Sequence, residues 1–245
     1  MKTLQQIASA LALAFSMLTT LPLFRVHRFF PGINGYAVMF YPVVGAALGA
    51  LLAAAWTLLH TLLPNETAAV SVFALSVLLT GALHLDGFAD TADALFVPEE
   101  RADAVMKDPH VGGMGMIATV TFLLLKAAAF IALPSATALV GVLAFSRFGA
   151  TVLIYWLPYR RKSGMGTLAK AETRFVHVAV AALAVIGIAA TLSLLPLLGA
   201  TALFFALAPR WAMRRFGGFS GDLYGCCIEA SELFMLLLLA GRCCA

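Results

Sequence analysis

Charge is what this sequence has least of. Asp, Glu, Lys and Arg make up 11% of its 245 residues, against 62% hydrophobic residues. A soluble domain carries roughly 25% charged residues, so this chain cannot cover a water-facing surface. That excludes an ordinary soluble globular protein. A polar linker is also missing, and residues 1–245 read as a single membrane domain. Basic stripes interleaved with aromatics are absent. The net charge of +4 suits a face near anionic lipid better than a nucleic-acid groove, so no nucleic-acid partner is expected. The four cysteines stand in two adjacent pairs, Cys226-Cys227 and Cys243-Cys244. Zinc sites space their ligands as C-x2-4-C, and these pairs read instead as apolar filler and tail. The N-terminal stretch has only Lys2 ahead of its apolar run and no A-x-A-like site. It is therefore kept as a mature span or interfacial helix.

What the sequence does have is long apolar runs, and a span needs roughly 20 such residues. The candidates are 4–22, 36–62, 67–85, 113–133, 136–157, 175–195, 197–214 and 225–240. Lipid offers no partner to unpaired backbone groups, which favours helices. The fold class expected is all-α, a polytopic transmembrane helical bundle of six to eight spans. Loops 62–67, 133–137 and 195–200 are short and nearly uncharged, whereas 25–28, 98–110, 159–174 and 210–222 hold most of the charge. With these spans every charged loop falls on one face. Basic residues favour the cytoplasmic side, so that face and the active site are expected at the cytoplasmic end of the bundle.

Carboxylates gather in two segments. After Leu83 the chain reads His84-Leu85-Asp86-Gly87-Phe88-Ala89-Asp90-Thr91-Ala92-Asp93. Asp86, Asp90 and Asp93 stand at i, i+4 and i+7, within roughly 60° of one another on a helix. Three like charges on one stripe need a neutralising partner. Mg²⁺ commonly bridges one or two carboxylates to substrate phosphates; a solvated acidic face is the plainer alternative. The second segment runs Gly217-Gly218-Phe219-Ser220-Gly221-Asp222 to Glu229 and Glu232. Asp222 and Glu229 are again seven apart, and the two glutamates enter an apolar span, where ionisable groups pair or line a functional cavity. The metal set expected is Asp86, Asp90, Asp93, Asp222 and Glu229, with the two stripes facing one cavity.

Cations complete the pattern. Lys126 and Arg147 lie inside apolar spans and should face the bundle interior, toward an acid or a phosphate. Lys107 leads into Gly112-Gly113-Met114-Gly115, where free amides at a helix start can hold phosphate; a flexible entry loop explains the glycines equally well. Arg160-Arg161-Lys162 reads first as a positive-inside anchor. His27, His60 and His177 look like ordinary loop histidines, while His84 borders the acids.

The acidic block from Leu83 to Asp93 closely resembles the signature of the cobalamin synthase (adenosylcobinamide-GDP ribazoletransferase) family. Val105-Met106-Lys107-Asp108 with its glycine loop resembles that family's next block, and Gly217 to Glu229 its C-terminal block. Leu18-Thr19-Thr20-Leu21-Pro22 and Tyr41-Pro42-Val43-Val44-Gly45 resemble earlier, less specific segments. Two departures stand out: Pro109-His110 replaces a small residue followed by Arg, and Gly81-Ala82 replaces a glycine pair. The resemblance implies a Mg²⁺-dependent enzyme of a prokaryotic inner membrane. It would join adenosylcobinamide-GDP to α-ribazole or its 5′-phosphate and release GMP. A homo-oligomer, or a complex with other corrinoid-pathway enzymes, is compatible with that role. Catalytic roles fall to Asp86, Asp93 and Glu229, the latter two as candidate bases. Substrate contacts fall to His84, Lys107, Gly112, Gly113, Lys126 and Arg147. A CDP-alcohol phosphotransferase lacks support, because its Ala-Arg step after the first Asp-Gly is missing. A cation transporter would hold its acids near the midplane rather than at one end.

Overall fold

The computed structural model describes residues 2–22 and 26–241; Arg25 and the Cys243-Cys244 pair lie outside the described residues. Twelve helices follow in order among the described residues: α1 Lys2–Leu18, α2 Ile33–Met39, α3 Tyr41–Leu59, α4 Asn65–Thr80, α5 Leu83–Leu95, α6 Glu99–Val105, α7 Gly113–Ile131, α8 Ala138–Trp156, α9 Met165–Glu172, α10 Phe175–Thr191, α11 Leu195–Phe216 and α12 Gly221–Gly241. Proline marks several starts: Pro64 and Pro98 sit just ahead of α4 and α6, and α3 and α11 carry proline in their first turn. Its missing N–H costs nothing there.

Five of these helices are long and apolar enough to cross a membrane, and seven spans result if each bent pair counts as one. Six to eight were expected. The difference lies in the breaks. The run 36–62 breaks at Phe40 into α2 and α3, and α1 is a shorter apolar helix. The run 67–85 ends as a span at Thr80, where α5 departs from α4 at 87°. A similar 92° bend joins α9 to α10. Both α5 and α9 therefore leave the line of the adjoining apolar helix and carry polar residues beside it.

The bundle is organised around α8, the most enclosed of the spans. Gly45 and Gly49 of α3 press against Leu143 and Leu139 of α8, and a side chain at Gly49 would meet the Leu139 carbonyl oxygen at 2.5 Å. The small-residue run read in the sequence is thus the α3–α8 contact, since small residues let helices approach closely.

At one end of the bundle the charged segments tie to one another. Asn34 donates backbone and side-chain hydrogen bonds to Glu172 Oε2, both 2.8 Å. Arg160 pairs with Asp103 at 3.5 Å, and Arg161 reaches the Met106 carbonyl at 3.4 Å. Arg215 donates to the Val97 carbonyl at 2.5 Å. The Phe219 N–H donates to the Pro158 carbonyl at 2.9 Å and the Arg160 N–H to the Phe219 carbonyl at 2.8 Å, forming a short parallel bridge between Tyr159 and Phe219. Three of the four charged stretches recognised in the sequence, 98–110, 159–174 and 210–222, are therefore tied into one surface.

The bend that starts α5 has an energetic signature. Gly81 and Ala82 both take left-handed backbone, at φ 61° and 55°. For alanine that conformation costs roughly 1–2 kcal/mol, while glycine loses about 0.4–1 kcal/mol more chain entropy on folding. Ala82→Gly should therefore stabilise the protein by about 0.5–1 kcal/mol. Thermal unfolding of the purified variant in detergent checks this; a lowered midpoint would contradict it.

Candidate active site

The site is built on the crossing of α5 and α12. Gly87 lies against the backbone of Asp222, where a Cβ would meet the Asp222 carbonyl oxygen at 2.7 Å, and Gly225 lies against His84. This close approach brings the first acidic stripe beside the head of the second. Asp90 is within electrostatic reach of Asp86, Asp222, Asp93 and Arg161, and Asp222 within reach of Asp86.

The carboxylates differ in what neutralises them. Asp93 is buried, and its two oxygens accept hydrogen bonds from the backbone N–H groups of Gly112 and Gly115, both at 2.6 Å. It caps the start of α7, where amides and dipole favour an anion. The Gly112 amide expected to hold phosphate is thus taken by a side chain of the protein itself. Asp222 Oδ2 accepts from Arg161 Nη2 at 2.5 Å and from the Ser220 hydroxyl at 3.3 Å. Asp86, exposed, and Asp90, half-buried, have neither a hydrogen bond nor an ion pair among the described residues.

Glu229 and Glu232 stand apart from this group. They lie about 12 and 16 Å along α12 at 1.5 Å per residue, inside the bundle rather than at its end. Lys126 Nζ of α7 is 2.6 Å from both Glu229 Oε2 and Glu232 Oε2. Arg147 of α8 pairs with Glu232 Oε1, which also accepts from the Ser146 hydroxyl at 3.2 Å. Two acids and two cations form a neutral quartet across three spans. Glu229, expected in the metal group, has a lysine as its partner here, as a mid-bundle carboxylate needs a counter-charge. The same pairing gives Lys126 and Arg147 their anion.

The other expected contacts separate. His84 is buried on α5, within electrostatic reach of Lys126 and Arg147. Lys107 points to the surface, where it holds the Asp103 carboxyl below its ordinary range through a 2.6 Å hydrogen bond. Gly113 opens onto free space. His110 pairs with Asp108 at 2.7 Å on the exposed loop. The cation that does reach the acids is Arg161, which looked like a topological anchor. Its position directly after a span on the charged face was the available signal. Tyr159 beside it is half-buried, and burial pushes its hydroxyl above the ordinary phenol range.

Could these residues hold a divalent cation? No three His, Cys, Asp or Glu side chains among the described residues converge as a ready-made ligand set. Asp86 and Asp90 offer uncommitted hard oxygens one turn apart, with Asp222 near. That suits Mg²⁺, which is usually held by one or two carboxylates and completed by water and substrate phosphates.

Known proteins resemble this chain over most of its length. The family described as cobalamin-5-phosphate synthase matches residues 10–240. An adenosylcobinamide-GDP ribazoletransferase of Stutzerimonas stutzeri is 39% identical over 241 residues, covering 94% of this chain and 97% of its own length. One from Geotalea daltonii is 38% identical over 212 residues, covering 84% and 86%. One from Deinococcus radiodurans is 38% identical over 234 residues, covering 93% and 84%. No solved structure matches.

The quartet makes a stability prediction. Lys126→Met leaves Glu229 buried without its counter-charge and should cost about 3–5 kcal/mol. Adding Glu229→Gln removes that orphan charge and should recover most of the loss. Unfolding of the detergent-solubilised variants compares them; a double variant no more stable than the single would break the argument.

Proposed function

The chain belongs to the cobalamin-5-phosphate synthase family, and on that premise we propose how the charged end of its bundle carries the family's chemistry. It joins adenosylcobinamide-GDP to α-ribazole, or to its 5′-phosphate, forming adenosylcobalamin or its phosphate and releasing GMP. The family membership stands against the lipid-headgroup and cation-transport alternatives.

The reaction reads as a phosphoryl transfer. A ribose hydroxyl oxygen bonds to the phosphorus nearer the cobinamide. The bond from that phosphorus to the bridging oxygen breaks, and GMP departs with that oxygen. Positioning and charge stabilisation supply most of the catalysis in such a step. The observation that carries the proposal is the pair of uncommitted carboxylates, Asp86 and Asp90, beside Arg161. Mg²⁺ held by Asp86 and Asp90, with Asp222 in reach, would supply charge neutralisation at the diphosphate. Arg161, oriented by Asp222, adds a fixed positive charge there. The hydroxyl proton needs a base with a free lone pair. Asp93 and Glu229, the candidates from sequence, are engaged by amides and by Lys126. The role passes to whichever of Asp86 and Asp90 stays clear of the cation.

We also place this end of the bundle at the cytoplasmic face of the inner membrane, because the basic loops gather there. A cysteine at position 161, in a background free of native cysteines, should resist an impermeant thiol reagent added to intact cells. Strong external labelling would reverse the orientation.

Asp86→Asn and Asp90→Asn should each lower GMP release by at least 100-fold while the protein stays folded in the membrane. The effect corresponds to about 2.7 kcal/mol or more of lost transition-state stabilisation. The assay uses purified protein, both substrates and a Mg²⁺ titration. Near-normal turnover of either folded variant at saturating Mg²⁺ would contradict the assignment.

A further inference from the structure

Beside the free carboxylates lies a cavity of about 230 Å³. Its wall is mainly apolar, with Met17, Leu18, Tyr41, Ala150, Ile154 and Ile228 drawn from α1, α3, α8 and α12. Asp86 and Asp222 border it, so it opens onto the groups assigned above to the diphosphate. The wall also includes His84 and Tyr224, only 4% and 7% exposed. His84 Nδ1 and the Tyr224 hydroxyl are two of six buried side-chain polar atoms without a hydrogen-bond partner among the described residues. The other four belong to side chains off this cavity. A buried polar group left unpaired costs about 1–3 kcal/mol. Two on one apolar wall are expected where a ligand supplies the missing partners.

The chemistry of the occupant follows from that wall. A guanine base carries several donors and acceptors around its rim, and most would be left unpaired here. A corrin ring is far too large. A benzimidazole nucleoside is different: its base is flat and apolar except for one unsubstituted ring nitrogen, and its ribose is polar. We propose that this cavity is the subsite for the acceptor, α-ribazole. The base lies against Met17, Tyr41 and Ile154, His84 and Tyr224 meet its one free ring nitrogen and the near edge of the ribose, and the rest of the ribose faces Asp86 and Asp222. This rests on the functional reading above and goes further by assigning one substrate to one cavity.

The orientation has a consequence for the reaction. The ribose would arrive beside an uncommitted carboxylate, on the same side as the diphosphate contacts. The adenosylcobinamide-GDP then approaches from the charged, water-facing end, where its bulk meets no wall. Discrimination among acceptors belongs to the apolar wall, since a purine riboside would bring ring nitrogens beyond those that the two unpaired atoms, His84 Nδ1 and the Tyr224 hydroxyl, can meet.

The test separates binding from turnover. Equilibrium dialysis measures α-ribazole binding to the protein in nanodiscs without the second substrate, and steady-state kinetics gives KM for each substrate. Tyr224→Phe keeps the shape and removes one hydroxyl; it should weaken α-ribazole binding and raise its KM by about 5- to 30-fold, the usual span for one buried hydrogen bond. Ala150→Leu reduces the cavity and should raise the same KM at least tenfold. The KM for adenosylcobinamide-GDP should stay within twofold in both. If both folded variants keep wild-type α-ribazole binding and KM, or if the KM of the other substrate rises instead, the assignment is overturned. A wild-type protein that binds α-ribazole yet forms no corrinoid product would overturn the functional reading while supporting the subsite.

Discussion

Inside a helical bundle in lipid, a carboxylate must find a counter-charge or a set of donors, and this requirement arranges most of the molecule. Glu229 and Glu232 meet it with Lys126 and Arg147, and in doing so fasten α7, α8 and α12 together. Asp93 meets it with the amides that open α7. Asp222 meets it with Arg161. Once those debts of charge are settled, Asp86 and Asp90 are left over at the charged end, held in place by the helix crossing at Gly87. The end proposed to be reactive is, in this sense, what remains after the structural ion pairs are made.

The free pair sits on α5, which packs against α7 and α12, two of the three helices that carry the neutral quartet, and this links stability to function. α12 carries Asp222 near its start and the two glutamates farther in, so fixing the glutamates by Lys126 and Arg147 also fixes the height of Asp222 against α5. Buried pairs of this kind contribute little net stability over apolar packing, yet breaking one is expensive. Their value here is register: they hold α12 against α7 and α8 at the height where Asp222 meets Gly87 of α5. Asp93 works similarly at the other side, tying the end of α5 to the start of α7. Pinned from both sides, α5 presents Asp86 and Asp90 with little freedom to turn away.

Much of this was legible in the sequence. Apolar run lengths gave the membrane bundle, loop charge gave a polar end, and the seven-residue spacing gave two acidic stripes, of which the α5–α12 crossing brings together the first and only the head of the second, Asp222. Two things were not legible. Sequence distance does not reveal how far along a span a residue lies relative to another span, so Glu229 looked like a neighbour of Asp86 when it is a partner of Lys126. Nor does a run of apolar residues announce a bend: the 87° turn at Gly81-Ala82 needs left-handed backbone, and an alanine there hides it. Arg161 was obscured for a related reason, because a basic residue after a span has a topological explanation ready. Lys107, which seemed the natural loop cation, spends its charge on Asp103 in the next turn of its own segment.

The central claim is the division of the carboxylates into a structural set and a metal-binding set, and direct cation binding tests it most closely. Mn²⁺ can be titrated into the protein in nanodiscs with adenosylcobinamide-GDP present, and the bound fraction read by electron paramagnetic resonance. The account predicts that Asp86→Asn and Asp90→Asn each weaken Mn²⁺ binding by at least tenfold, while folded Glu229→Gln binds within about threefold of wild type. Tight binding retained by both aspartate variants, with binding lost in Glu229→Gln, would contradict it.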